Sequence, residues 1–168
     1  MLEKMVKIDD DNGIKLIEEG KYEEAQNFFK SRLHLNNHLV YYGLATAIFK
    51  ENRSNMTKEE TNKVIKLYQE SIELNPDFAD THLMLGMAYE QIVSILINDY
   101  KKSPYSNSDQ KVGEIKIILD LAKKSIKRAV ELNPNFHDIS QSELNSFERK
   151  LIGIDNLKQN YNERIRLN

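Results

Sequence analysis

The feature that most constrains this chain is a phrase that occurs twice. Ser71-Ile72-Glu73-Leu74-Asn75-Pro76-Asp77-Phe78 is matched by Ala129-Val130-Glu131-Leu132-Asn133-Pro134-Asn135-Phe136, and Leu35-Asn36-Asn37 reads as a degraded third copy. Only three prolines occur in 168 residues, and two of them sit in this phrase. The phrase acts as punctuation. A helix runs up to Leu, Asn opens a turn, and Pro cannot continue the old helix but can begin the next. Recurrence of such a stop signals stacked structural units.

Between the stops the apolar spacing is helical. Ala25, Phe28 and Phe29 step by three and four, as do Val64, Leu67, Tyr68, Ser71 and Ile72, and again Leu119, Ala122, Ile126, Ala129 and Val130. No segment alternates with period two for the length of a strand. Thr57 with Glu60, and Ser140 with Glu143, have the spacing of a capping box. Gly20 ends the first helix and residues 103–109 form a loop. These signals place helices at about 2–19, 22–35, 38–52, 58–74, 79–102, 110–132 and 141–166.

Three stretches resemble the tetratricopeptide repeat, a two-helix unit of about 34 residues with the pattern W-x₂-L-G-x₂-Y…A-x₃-F…P. One reads His82-x₂-Leu85-Gly86-x₂-Tyr89, then Ala122-x₃-Ile126-x₂-Ala129, then Pro134. A second reads Tyr41-x₂-Leu44-Ala45-x₂-Ile48, then Val64-x₃-Tyr68-x₂-Ser71, then Pro76. The first reads Gly13-x₂-Leu16, then Gly20-Lys21-Tyr22-Glu23-Glu24-Ala25-x₃-Phe29, ending at Asn37. The resemblance implies an all-α fold, an α-α superhelix of about three helical hairpins, with repeats near 5–37, 38–76 and 79–134. A long C-terminal capping helix near 141–166 completes a single domain over 1–168. Ala25, Ala45, Gly86 and Ala122 stand where helices cross closely and a large side chain would force them apart.

The departures from the pattern carry information. Val64 replaces a small residue, so the second hairpin is expected to be wider or locally shifted. Gly86 and Ala122 are 36 residues apart, where the pattern leaves about 12. The added residues continue two helical stripes, Val93, Leu96, Ile97 and Tyr100 on one side and Val112, Ile115 and Leu119 on the other. The third hairpin should therefore be extended, projecting roughly 15 Å beyond its neighbours at 1.5 Å per residue. The tail carries a stripe of its own in Leu144, Phe147, Leu151, Ile154, Leu157, Tyr161 and Ile165. It is expected to pack along the extended hairpin as a three-helix bundle. The alternative is a coiled-coil seam for a second copy.

Composition narrows the function. With no cysteine there is no disulfide, thiolate metal site or cysteine nucleophile. A formal net charge of −2 gives no long-range pull toward nucleic acid or an anionic membrane. Residues 1–100 carry 11 basic and 17 acidic side chains and residues 101–168 carry 13 and 9, so the tail is basic and the rest acidic. No apolar run approaches the ~20 residues of a bilayer span, and the first residues do not read as a secretory signal. The reading is a cytoplasmic protein without nucleic-acid or membrane partners.

Candidate chemistry does not assemble. His34 and His38 have the four-residue spacing of a helical metal pair, but Asn36-Asn37 puts a turn between them. Asp9-Asp10-Asp11-Asn12-Gly13 has a calcium-loop flavour, yet its first ligand position would fall on Ile8, which offers no side-chain oxygen. His82 holds the aromatic position of its repeat and reads as packing. Lys116, Lys123, Lys124, Lys127 and Arg128 make one helix basic without aromatic interleaving, which reads as a solvated face. No cofactor or metal is expected, and the chain is read as non-catalytic.

The resemblance also implies where a partner binds: the concave face lined by the first helix of each unit. Carried over by position, that face comprises Lys7, Asp10, Ile14 and Ile17, then Tyr42, Thr46 and Phe49, then Leu83, Met87 and Glu90. The family's best-known groove chemistry, a Lys, Asn and Arg clamp on a terminal carboxylate, is missing from these positions. The groove is instead apolar and aromatic with acidic edges at Asp10 and Glu90. It suits a peptide or an amphipathic helix, or else packs against a second copy as a homo-oligomer.

Overall fold

A computed structural model describes residues 11–102 and 108–166 of the chain. Its helices, in order, are α1 (11–18), α2 (Tyr22–Lys30), α3 (His38–Asn52), α4 (Lys58–Leu74), α5 (Ala79–Lys102), α6 (Ser108–Leu132) and α7 (His137–Arg166). Short 3-10 turns sit at Leu33–Leu35 and Pro134–Phe136. No strand occurs among the described residues. The fold is all-α: three successive helical hairpins, α1/α2, α3/α4 and α5/α6, followed by the long α7, with each helix from α2 onward packed on the next.

The repeated phrase folds the same way twice. Asn75 and Asn133 both leave the helix in extended conformation, at φ −147°, ψ 91° and φ −142°, ψ 96°. Their amides donate back to Ser71 O at 2.9 Å and Ala129 O at 2.8 Å. Their side-chain carbonyls accept from Asp77 N at 3.3 Å and Asn135 N at 3.2 Å. The degraded copy takes another path. Without a proline, Asn36 turns through the left-handed region at φ 48°, and Asn37 caps α3 by accepting from Leu39 N at 2.9 Å.

Two helix boundaries differ from expectation. α2 stops at Lys30 instead of reaching 35, because Ser31 Oγ donates to Phe28 O at 2.8 Å and the chain tightens into the 3-10 turn. α7 starts at His137, not near 141, because the turn at Pro134–Phe136 has already reversed the chain. Ser140 is therefore no cap but a buried residue inside the helix. The Thr57–Glu60 box is formed reciprocally: Glu60 N donates to Thr57 Oγ1 at 3.2 Å and Thr57 N to Glu60 Oε2 at 2.8 Å. The expected helix start near residue 2 and most of the loop at 103–109 lie outside the described residues.

Among the described residues packing falls into three apolar clusters, each shared with the helix that follows its hairpin. The first gathers Ile17, Ala25, Phe29, Val40, Leu44 and Ala47. Here the Phe29 ring is held between two glycines: a Cβ built on Gly43 would lie 2.2 Å from its Cζ, and one on Gly13 would lie 2.4 Å away. The second holds Ala45, Phe49, Met56, Val64, Ile65, Tyr68, Leu85, Ala88 and Ile92. Val64 is fully buried in it. The third runs the length of α5 and α6 and takes in Phe147 and Ile154 from α7. Gly86 lets α5 approach α6, since a Cβ there would sit 2.5 Å from Ile126 Cγ1 and 3.2 Å from Ala122 O.

The third hairpin is extended. α5 has 24 residues against 15 in α3, and α6 has 25 against 17 in α4. The excess of eight or nine residues corresponds to about 12–13 Å at 1.5 Å per residue. Through residue 156, α7 lies along this hairpin: Phe147 and Ile154 are buried, Leu144 and Leu151 pack beside them, and Lys116 pairs with Asp155 at 2.8 Å. The side chains of Leu157, Tyr161 and Ile165 lie outside the described residues.

Candidate functional site

The first helices of the hairpins bring the predicted face into the same three clusters. Ile14 and Ile17 belong to the first, Tyr42, Phe49 and Met87 to the second, and Leu83 to the third. Lys7 and Asp10 lie outside the described residues. The residues divide by depth. Ile17, Thr46, Phe49 and Leu83 are buried and form a floor, whereas Ile14, Tyr42 and Met87 keep accessible surface.

Tyr42 stands at the centre of an aromatic group. Its ring meets Phe78 edge-on at 5.1 Å between centroids and lies 6.3 Å from Tyr68. Phe78 also meets His38 at 5.3 Å. Thr46 shares a hydrogen bond of 3.2 Å with the Tyr68 hydroxyl, which keeps that fully buried phenol satisfied. Burial raises the Tyr68 hydroxyl well above its ordinary range, and burial together with the Asp80 carboxylate raises Tyr42 to about 12. Both phenols stay neutral, so this part of the face is apolar with hydroxyl tips. His38 is held below its ordinary pKa by burial, and its Nε2 lies 3.1 Å from Asn75 Nδ2, where a neutral ring accepts that amide.

Glu90 does not serve as a free acidic edge. It is buried and forms an ion pair with Lys150 of α7, while Arg53 Nη2 stands 3.8 Å from its other oxygen. Lys150 Nζ also donates to Ser94 Oγ at 3.1 Å. Burial, and then the Arg53 charge, push the Lys150 ammonium down to about 8. The carboxylate expected to greet a partner instead fastens the tail to α5.

Two residues of this site went unread in the sequence. Phe78 ends the repeated phrase, and Phe136 holds the same place in the second copy, packed on the third cluster. Their shared offset was the available signal. Lys150 interrupts the apolar side of α7 between Phe147 and Ile154, and a lone lysine in such a stripe marks a buried ionic partner. The other singled-out residues behave as surface or packing groups. The Nε2–H of His82 donates to Pro76 O at 2.8 Å. His34 sits on a 3-10 turn and His38 on α3, so they share no helix face. On the basic helix, Lys124 pairs with Asp120 and Arg128 with Asp77 and Glu131. Among the described residues no group of three His, Asp or Glu is placed to hold a metal ion, and no helix is long and apolar enough to cross a membrane.

No family model matches the chain, and no curated protein matches it. Among solved structures it is similar to one titled "MamA MSR-1 C2", with 18% identity over 90% of this chain and 95% of that one, at a TM-score of 0.39. It is also similar to "MamA RS-1 ArsTM double mutant", with 13% identity over 94% and 96%, at a TM-score of 0.40. Neither likeness assigns a role to any residue of this chain.

Proposed function

We propose that the chain is a non-catalytic scaffold, resembling tetratricopeptide repeat proteins, that holds a peptide or an amphipathic helix against its concave face. The supporting observation is that Tyr42 and Met87, from successive hairpins, both top the second apolar cluster while keeping accessible surface. A floor of buried Thr46 and Phe49 holds them in place, so a partner meets a prepared apolar patch. The test is affinity capture of a partner from cells of the source organism, followed by titration with Tyr42→Ala and Met87→Ala. Each variant is expected to weaken binding about tenfold or more; because Tyr42 also packs on Phe78 and Tyr68, both titrations are run well below the melting temperature of the variant. Retained affinity in both would overturn this face as the binding site.

A second reading, self-assembly, is favoured by a separate observation. Ile117 and Leu121 on α6 and Ile152 on α7 are large apolar side chains left exposed on the extended hairpin and the tail. Light scattering separates the readings: a stable oligomer that Ile117→Lys and Ile152→Lys dissolve supports assembly, and a monomer at micromolar concentration supports the adaptor.

A further inference from the structure

Between α5 and α7 lies a cleft of about 490 Å³, lined by Ile97 and Lys101 from α5 and by Ser146, Arg149, Lys150, Gly153 and Ile154 from α7. None of the described concave-face residues lines it. Its α7 wall repeats at three and four residues from Ser146 to Ile154, so the cleft is a slot running about 12 Å along the helix. The floor is apolar, from Ile97 and the alkyl stems of the long side chains, above the buried Ile154. Gly153 deepens it: a Cβ built there meets nothing within 4 Å.

The charge around the slot has one sign. Among the described residues three cations line it and no acid does. Lys150 is already committed to Glu90. Lys101 and Arg149 are exposed and have no ion-pair partner among the described residues, although Lys116, Lys124 and Arg128 of neighbouring α6 do. An elongated apolar slot with two uncommitted cations on opposite walls is complementary to a chain that carries carboxylates beside apolar side chains. A compact anion would meet the cations but leave the floor empty.

We propose that the α5/α7 cleft is a second docking site, which takes an acidic amphipathic segment of a partner protein: apolar side chains on Ile97 and the alkyl stems around it, carboxylates on Lys101 and Arg149. The site rests on the reading of the chain as a protein-holding scaffold but uses a different face. The probe is a fluorescein-labelled helical peptide with leucines at i, i+3, i+4 and i+7 and glutamates elsewhere, followed by fluorescence anisotropy with the full chain. Binding is expected to weaken about tenfold or more in Lys101→Glu/Arg149→Glu, and to weaken with added salt. Gly153→Leu should block binding by filling the slot, with no loss of thermal stability because nothing there is displaced. Tyr42→Ala should leave this binding unchanged. Equal binding of a lysine-for-glutamate peptide, or indifference to both cleft variants, would overturn the proposal. Loss of binding in Tyr42→Ala alone would also overturn it, while leaving the concave-face reading standing. Full displacement of the peptide by micromolar oleate would assign the slot to a fatty acid and overturn the peptide assignment.

Discussion

The first two hairpins and the third solve the same packing problem on different scales. α2 has 9 residues and α3 has 15, and their cluster closes around one ring, Phe29, seated between Gly13 and Gly43. The third hairpin runs to 24 and 25 residues and cannot close by itself, so α7 supplies Phe147 and Ile154 to finish its core. Short units in a repeat array are stabilised by their neighbours. A long unit outruns its neighbour and exposes an apolar flank that only a helix of matching length covers. α7, at 30 residues, has that length.

The comparison can be broken most forcefully by emptying each core. Phe29→Ala and Phe147→Ala each remove a fully buried ring and are expected to cost about 3–5 kcal/mol in urea melts. If Phe147→Ala costs under about 1 kcal/mol, α7 is an appendage and not part of the core. Glycine substitutions give a finer contrast. Gly43→Ala should cost about 2–3 kcal/mol, because the Phe29 ring it strikes is backed by Gly13 and cannot retreat. Gly86→Ala should cost about 1–2 kcal/mol, since it mainly strikes Ile126 Cγ1, which can shift a little. The reverse order would mean that α5/α6 is the more rigid crossing.

Smaller effects test the fastening of the tail. Lys150→Met leaves Glu90 with the more distant Arg53 and a hydrogen bond from Ser94 Oγ at 3.3 Å, and should cost about 1–2 kcal/mol, less than for a fully buried pair because Lys150 keeps partial exposure. Glu90→Gln/Lys150→Met should cost less than the two single changes together, and simple additivity would show the pair to be uncoupled. The smallest effect is a pH dependence at the joint between the second and third hairpins. His38 has a depressed pKa in the folded chain, so its stabilising contribution is complete above the ordinary histidine value of about 6.5 and is lost as pH falls through the folded value. The melting temperature of the native chain should therefore fall more between pH 7 and pH 5 than that of His38→Asn.

The hairpins were legible because their stops are written in residues with few conformational options. Asn-Pro twice produces the same extended exit and the same backbone bonds. The extension of the third hairpin was legible from spacing alone. The clamp on Phe29 was not, because Gly43 falls outside the repeat pattern; its one signal was a glycine in a helix interior, which costs about 1 kcal/mol relative to alanine and so implies a tight contact. The start of α7 was misplaced because Ser140 and Glu143 copy the spacing of a true box, and spacing does not reveal that the chain has already turned at Pro134. Of the site, the positions along the first helices were readable, but their depth was not. Glu90 looks like an exposed acid in sequence, and only the fold shows that Lys150, 60 positions away, neutralises it.

With Phe147 and Ile154 closing the third core, α5, α6 and α7 should unfold as one cooperative body, separately from the first hairpins. Native-state hydrogen exchange on Phe147→Ala, resolved by segment, tests it most directly. Amides in α5 beyond Glu90, in α6 and in α7 are expected to lose protection together, while α2 and α3 keep theirs. Loss confined to α7, with α5 and α6 as protected as in the native chain, would contradict it.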